Sequence, residues 1–518
     1  MTARALLLAT LIALSTAAPA AASKSMEVGV ADDRLMLGSA EQAAGAIDDW
    51  RAAGVDAVRI VARWGVYAPS PDSRTPPDAF DGADHTDARY NWAALDRAVG
   101  MASGAGLKVM LTVTGWGPVW GSEYPVKDNP RFKPDPGKFA AFAKAVATRY
   151  GGMVDRYIIW NEPNVTLWFQ PQSQCVRKRC TPYSPHHMRR IVRAADPAIR
   201  GADPGAKVLV GALAPRGSSG NSPNAALRPL LWLRELGCVS SKYKKVRKSY
   251  CRGFKPAAAD GLAYHPHGLK LAPNQADRVP DQAQLADLGQ VTSTLDRVVK
   301  AGGIKARGTK RLPLYLDEYA YQTKPPDRVL GVSASQQARF MAQSAYLAWR
   351  NPRVKNLTWY VWEDEPSNAV GGGWQSGVRY LSGRNKPSFD VFPEPFWAER
   401  ARRGVARLWG QVRPGGGTTV TIERRSGSAW QRVASTQTDG HGAFTRTVRI
   451  ARTTTFRFRW DGGSCAARAV SACTCASMAD IREDAQLCGT GRIPHTRRRP
   501  PRLDPRRGFQ QRIRVRRE

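Results

Sequence analysis

From Met26 to about Arg403 the chain alternates between two hydrophobic patterns. Short runs in which nearly every position is apolar (Met26 to Val30, Ala57 to Val61, Lys108 to Val113, Arg156 to Trp160, Lys207 to Gly211, Gly261 to His265, Leu312 to Asp317 and Asn356 to Trp362) are the strand candidates. Between them lie segments such as AEQAAGAIDDWRAAG, KFAAFAKAVATRYGG and QQARFMAQSAYLAWR, whose apolar residues return at helical spacing. A strand that is apolar on both faces must be covered on both, which is the condition of a parallel sheet flanked by helices. Eight such units predict an α/β fold, a closed (β/α)8 TIM barrel over residues 26–403. After Gly404 the pattern changes to period-two alternation in short runs separated by Gly-rich or Asp-Gly turns, predicting a small all-β, Ig-like sandwich over 405–460. Trp409, Trp430 and Trp460 are expected in its core. From Asp461 onward periodicity is lost. Between Thr490 and Glu518 eleven arginines face two acids, the composition of a disordered basic tail, which is equally what an out-of-frame ending would look like.

A parallel barrel gathers the C-terminal ends of its strands and the following loops on one face, where ligands bind. Polar residues at strand ends are therefore the informative ones. The second strand ends in VRIVARW, the third in TVTGWGPVW, the fourth in WNEPN, the sixth in AYHPHG, the seventh in LDEYAY and the eighth in VWEDEP. Carboxylates, histidines, arginines and tryptophans recur there too regularly for each to be an isolated surface residue.

Composition narrows the setting. Arg4 precedes an apolar run from Ala5 to Leu14, and small residues follow around Ala20 to Ala22, the pattern of a secretory signal over 1–22 that is too short for a membrane span. Export is expected, with no transmembrane segment elsewhere. Four of the eight cysteines lie in the barrel region, and near-neighbour disulfides, Cys175 with Cys180 and Cys238 with Cys251, are expected; the alternative of a zinc site lacks a paired CxxC or spaced histidines. These two insertions are also candidates to shape a cleft. The net charge of +35 favours adsorption to an anionic cell-wall polymer, or it reflects biased codon usage. Aromatics for base stacking are absent from the tail except Phe509, so no specific nucleic-acid partner is expected.

Two acids at the ends of different barrel strands can cleave a glycosidic bond, one protonating the leaving oxygen while the other attacks or stabilises the anomeric carbon. The motifs YIIWNEPN and LYLDEYAY resemble the two glutamate motifs of the clan A glycoside hydrolases, retaining (β/α)8 glycosidases of cellulase-like and β-xylosidase-like families. The resemblance covers roughly residues 26–400. It implies a β-glycosidase acting with retention on a carbohydrate substrate, with Glu162 as acid/base and Glu318 as nucleophile. It further implies that Arg59 braces the nucleophile, that Asn161 bonds the sugar 2-hydroxyl and that Trp362 floors the catalytic subsite. Relatives commonly carry His-x-Tyr on strand six. Here the residues are His265-Pro266-His267, so His267 stands in the tyrosine's place, and strand three lacks a histidine.

Among the remaining candidates, His265 and His267 read either as substrate contacts or as core histidines. Trp116, Trp120 and Trp362 read either as stacking platforms or as core, and Glu363, Asp364 and Glu365 as a solvated loop. The pair needs no cofactor or metal, and a monomer is expected. The rival readings are an inactive barrel that binds carbohydrate and a cationic wall-binding protein. The sugar, the linkage and endo or exo action depend on loops that the motifs do not specify.

Overall fold

The computed structural model describes residues 22–177, 179–309, 311–366, 373–451 and 453–460, and the backbone of 478–481. The proposed signal segment and almost all of the proposed tail lie outside the described residues. Eight parallel strands form a closed barrel in sequence order: β1 (Glu27–Ala31), β2 (Ala57–Arg63), β3 (Lys108–Thr114), β4 (Val154–Ile159), β5 (Lys207–Leu213), β6 (Gly261–Tyr264), β7 (Leu314–Tyr319) and β8 (Val354–Tyr360), the last pairing back to β1. They are the eight apolar runs of the sequence, shifted by at most two residues at either end.

Strand alternation explains why these runs are apolar throughout. Met110, Ile158, Leu209, Ala263 and Tyr315 point inward and fill the barrel. Their neighbours Val109, Leu111, Tyr157, Ile159, Val208, Val210, Leu314 and Leu316 join the larger core beneath the helices. The helices begin where side-chain caps satisfy their first amides. Ser39 and Gln42 form a capping box for Ala40–Ala52, and Asp135 accepts from the amides of Gly137 and Lys138 ahead of Pro136–Tyr150. In the second of these, Phe139, Phe142, Ala143, Val146 and Tyr150 make the buried stripe.

The C-terminal strands form two antiparallel sheets. One contains β9 (Phe396–Arg402), β10 (Val405–Gln411) and β13 (Ala443–Arg449); the other contains β11 (Thr419–Ser426), β12 (Ala429–Gln437), β14 (Thr454–Trp460) and β15 (Met478–Ile481). Phe396, Leu408, Val420, Ile422, Phe444, Phe456 and Phe458 form their common core, so the module is a sandwich. It starts at Phe396, ahead of the change of pattern at Gly404, and β15 falls in the stretch read from sequence as aperiodic tail. Of the three tryptophans, Trp460 packs against the sandwich core, whereas Trp409 is buried in the barrel's core. Trp409 packs outside the sandwich, on Tyr346 and Trp349 of the helix Ala334–Trp349, and ties the module to the barrel. Trp430 lies under the Arg457 guanidinium, and Trp460 donates its indole N–H to Glu394.

Both expected disulfides are present, Cys175–Cys180 and Cys238–Cys251. The first closes a hairpin (Ser173–Val176 with Arg179–Pro182) in the excursion after β4, on the ligand face. The second lies between the helix Pro229–Leu236 and β6, hence at the opposite end of the barrel, and it does not shape the mouth. No helix among the described residues is long and apolar enough to cross a membrane.

Candidate active site at the barrel mouth

The ends of β4, β5 and β7 depart from regular strand alternation, and these departures assemble the site. On β4, Trp160 has φ 73° and Glu162 has φ 37°, left-handed values that bulky residues rarely adopt and that persist only where surroundings impose them. Hydrogen bonds impose them here. The Trp160 amide donates to Val113 O, the Asn161 amide to Thr114 Oγ1 and the Glu162 amide to Ala212 O. Ala212 itself lies at a register shift between β5 and β6, with φ 44°. Gly115 makes room for the Trp160 ring, since a Cβ there would sit 2.4 Å from it.

On β7, alternation points Asp317 inward with Tyr315 and would send Glu318 toward the helices. A register shift against β8 between Leu316 and Tyr319 brings both acids to the mouth. Arg59, inward on β2, meets them: its Nη1 lies 2.9 Å from Glu318 Oε1, its Nε lies 3.1 Å from Asp317 Oδ2, and its Nη2 donates to Asn161 Oδ1 at 2.6 Å. This leaves the Asn161 NH2 group as the free end of that side chain.

His265 stands at the centre. Its Nε2 donates to Asp317 Oδ2 at 3.2 Å and its Nδ1 to Glu162 Oε1 at 3.1 Å, and Nδ1 is also 3.5 Å from Glu318 Oε2. One nitrogen thus spans the gap between the two glutamates. Burial alone would lower the His265 pKa, but the Glu318 and Asp317 charges and the hydrogen bonds to Asp317 and Glu162 outweigh it and push the value up to about 10. The imidazole is therefore a cation at neutral pH. Burial would likewise raise Glu318, yet His265, Arg59 and His267 together hold it well below the usual carboxylate range. His267 accepts the Ala320 amide on Nδ1, which places its proton on Nε2, 3.6 Å from Glu318 Oε2.

The raised His265 value has a consequence for stability. A group whose pKa is higher in the folded chain stabilises fully below its unfolded value, about 6.5, and that contribution declines as pH rises toward the folded value. The stability gap between the protein and His265→Gln should therefore be widest below about pH 6.5 and shrink on approach to about 10. Urea unfolding of both at several pH values reads this, and a gap independent of pH would show that His265 is not a cation.

Six sequence candidates, Glu162, Glu318, Asn161, Arg59, His265 and His267, thus share one site. His265, His267 and Glu318 carry ligand atoms within 4.8 Å of one another, but Arg59 and the charged His265 already supply the positive charge that a metal would bring.

Trp362 does not join them. It is 1% exposed, its amide is held by Asp32, and its ring packs on Phe389 and Phe392, so it does not floor the mouth. The reason is that β8 ends at Tyr360, before the chain turns outward. Tyr360 is near enough to Glu318 for the carboxylate to raise its pKa further above the increase that burial causes. The half-buried Trp374 lies 5.2 Å, ring to ring, from both Tyr360 and His267. Trp120 is core, edge-on to Trp64. Trp116 is half-buried at the mouth, with its indole N–H on Leu167 O. The acids after β8 are not a solvated loop: Glu363 pairs with Arg34, buried Asp364 with Lys386, and Glu365 accepts the Trp374 amide.

Residues 21–269, from β1 through the strand-six histidines, match the family described as Cellulase (glycosyl hydrolase family 5). Similar solved structures include a family 39 glycoside hydrolase from the gut symbiont Bacteroides cellulosilyticus WH2, with 13% identity over 83% of this chain and 82% of that one and a TM-score of 0.48. A glucosidase from Croceicoccus marinus shows 14% identity over 84% and 95%, with a TM-score of 0.47. The endo-beta-1,4-mannanase from Thermotoga petrophila shows 11% identity over 88% and 97%, with a TM-score of 0.41. No curated protein sequence matches significantly. The family match lies over the first six strands of the closed eight-stranded barrel, the part of the chain that carries Arg59, Asn161, Glu162, His265 and His267.

Proposed function

We propose that the protein is an exported β-glycosidase that acts with retention by double displacement, Glu318 being the nucleophile and Glu162 the acid/base. The carrying observation is the single imidazole nitrogen at 3.1 Å from Glu162 and 3.5 Å from Glu318. Retaining pairs stand about 5–5.5 Å apart and inverting pairs about 6.5–9.5 Å, and one nitrogen within reach of both carboxyl groups is compatible with the closer, retaining spacing.

Glu318, held ionised by Arg59 and His265, attacks the anomeric carbon while Glu162 delivers a proton to the departing oxygen. Ester formation removes the Glu318 charge. Glu162 then takes a proton from water, which attacks the same carbon, and the Glu318 carboxylate leaves. The Asn161 amide, whose Oδ1 is held by Arg59, bonds the sugar 2-hydroxyl through its NH2 group, and Trp374 with Tyr360 offers aromatic walls.

Proton NMR of a hydrolysis in progress tests the stereochemistry. The β-anomer should form first and mutarotate later, and an α-anomer formed first would overturn retention. Export is supported by the leader-like segment, the two disulfides and the docking of Ser23, whose amide and hydroxyl donate to Trp349 O and Val354 O. An N-terminus near Ser23 in chain recovered from culture medium is expected; a chain retained inside the cell with Met1 intact would refute it.

A further inference from the structure

The barrel mouth carries two arginines, Arg63 and Arg131, that form no ion pair with any described residue. Arg63 ends β2, where it pairs in register with Thr114, the residue whose hydroxyl holds the Asn161 amide. Trp116 follows β3, and Trp168 lies in the turn after Glu162, which Glu162 O and Val165 O fix through the amides of Val165 and Trp168. The Arg131 guanidinium carbon stands 3.9 Å from the centre of the Trp116 ring; that of Arg63 stands 5.3 Å from Trp116 and 5.5 Å from Trp168. All four side chains are half-buried.

Neither guanidinium forms a hydrogen bond or ion pair with any described residue, and the Nε of each is buried without a partner. Arg131 is lowered by burial with no carboxylate acting against it. Of the nearby acids, buried Asp33 accepts the Val61 amide and faces Arg59 more strongly than Arg63, whose charge also acts on it, and Glu123 pairs with Arg190. Two half-buried arginine forks held against Trp116 form a receptor for a planar anion, because a carboxylate accepts paired N–H donors from guanidinium groups whose planes the indole fixes.

We infer that Arg63, Arg131 and Trp116 form a subsite for a uronic-acid residue of the substrate, on the Glu162 side of the cleft. This rests on the glycosidase reading and names its substrate class, an acidic polysaccharide or oligosaccharide. A sulfate ester shares the chemistry, and the experiment separates the two.

Glycans bearing uronic acid, 4-O-methylglucuronoxylan and a glucuronic-acid-containing arabinogalactan, are assayed in three forms: native, carboxyl-reduced, and carboxyl-reduced then sulfated. The native form of the best substrate should exceed its reduced form in kcat/KM by about 10- to 100-fold, the range for losing charge-assisted hydrogen bonds. That ratio should fall toward one in Arg63→Gln/Arg131→Gln. A wild-type ratio near one, a ratio unchanged in the double variant, or a preference for the sulfated form each overturns the uronate assignment. If no form is cleaved, the glycosidase reading fails, and retardation in gels containing the same glycans decides the subsite separately. Stronger retardation of the wild type than of the double variant by the native form, and not by the reduced one, supports it; equal retardation refutes it.

Discussion

Glu318→Ala is expected to lower kcat on the best glycoside by about 10,000-fold or more, since an attacking carboxylate has no substitute in the site. The variant should still fold, because Asp317 and Asp33 remain near Arg59 and His265, and the side chain removed is one of several buried acids. Circular dichroism in the near-ultraviolet checks this. Sodium azide then distinguishes the roles of the two glutamates. In Glu318→Ala a small anion can enter the vacated space and attack the anomeric carbon directly, displacing an activated aryl leaving group and giving the α-glycosyl azide. In Glu162→Ala the same anion intercepts the glycosyl ester and, by a second inversion, gives the β-glycosyl azide. The opposite pairing of products would exchange the assignments. A Glu318→Ala protein that keeps most of its turnover would end the proposal.

The strands and the two glutamate motifs were readable because burial on both faces writes a strand as a nearly unbroken apolar run. Carboxylates at the ends of such runs stand out against them. Hidden in the sequence were the places where alternation breaks. Asp317 and Glu318 are neighbours, so a regular strand separates them onto opposite faces; only the shift between Leu316 and Tyr319 brings both to Arg59 and His265. For the same reason Trp362 reads as a strand end although the strand stops at Tyr360, and the aromatic beside His267 is the half-buried Trp374 in the loop beyond. Arg63 and Arg131 could not be distinguished from other cations in a chain of net charge +35. What sets them apart is that neither forms an ion pair with a described residue, which is a property of packing and has no local signature.

Arg59→Met is expected to cost about 3–5 kcal/mol of folding stability, the range for leaving buried charges without their partner. Arg59, Asp317 and Glu318 are buried, with 2%, 0% and 7% of their surface exposed, so solvent screening does not relieve the loss. Because such a variant can fail by unfolding, Arg59→Lys is the sharper probe. Lysine keeps the charge, but a single ammonium cannot reproduce the fork that reaches Asn161, Asp317 and Glu318 together. Activity should fall by about 100-fold or more through misplacement of the nucleophile. The pH profile carries a further sign. Glu318 is depressed in the folded chain partly by Arg59, so it contributes stability above its unfolded value of about 4.3, and this is lost as pH falls through the folded value. Weakening that contact raises the folded value, which moves the acid limb of kcat/KM to higher pH in Arg59→Lys. A limb that stays in place while kcat falls would mean that Arg59 only positions Asn161, and that His265 alone keeps Glu318 ionised.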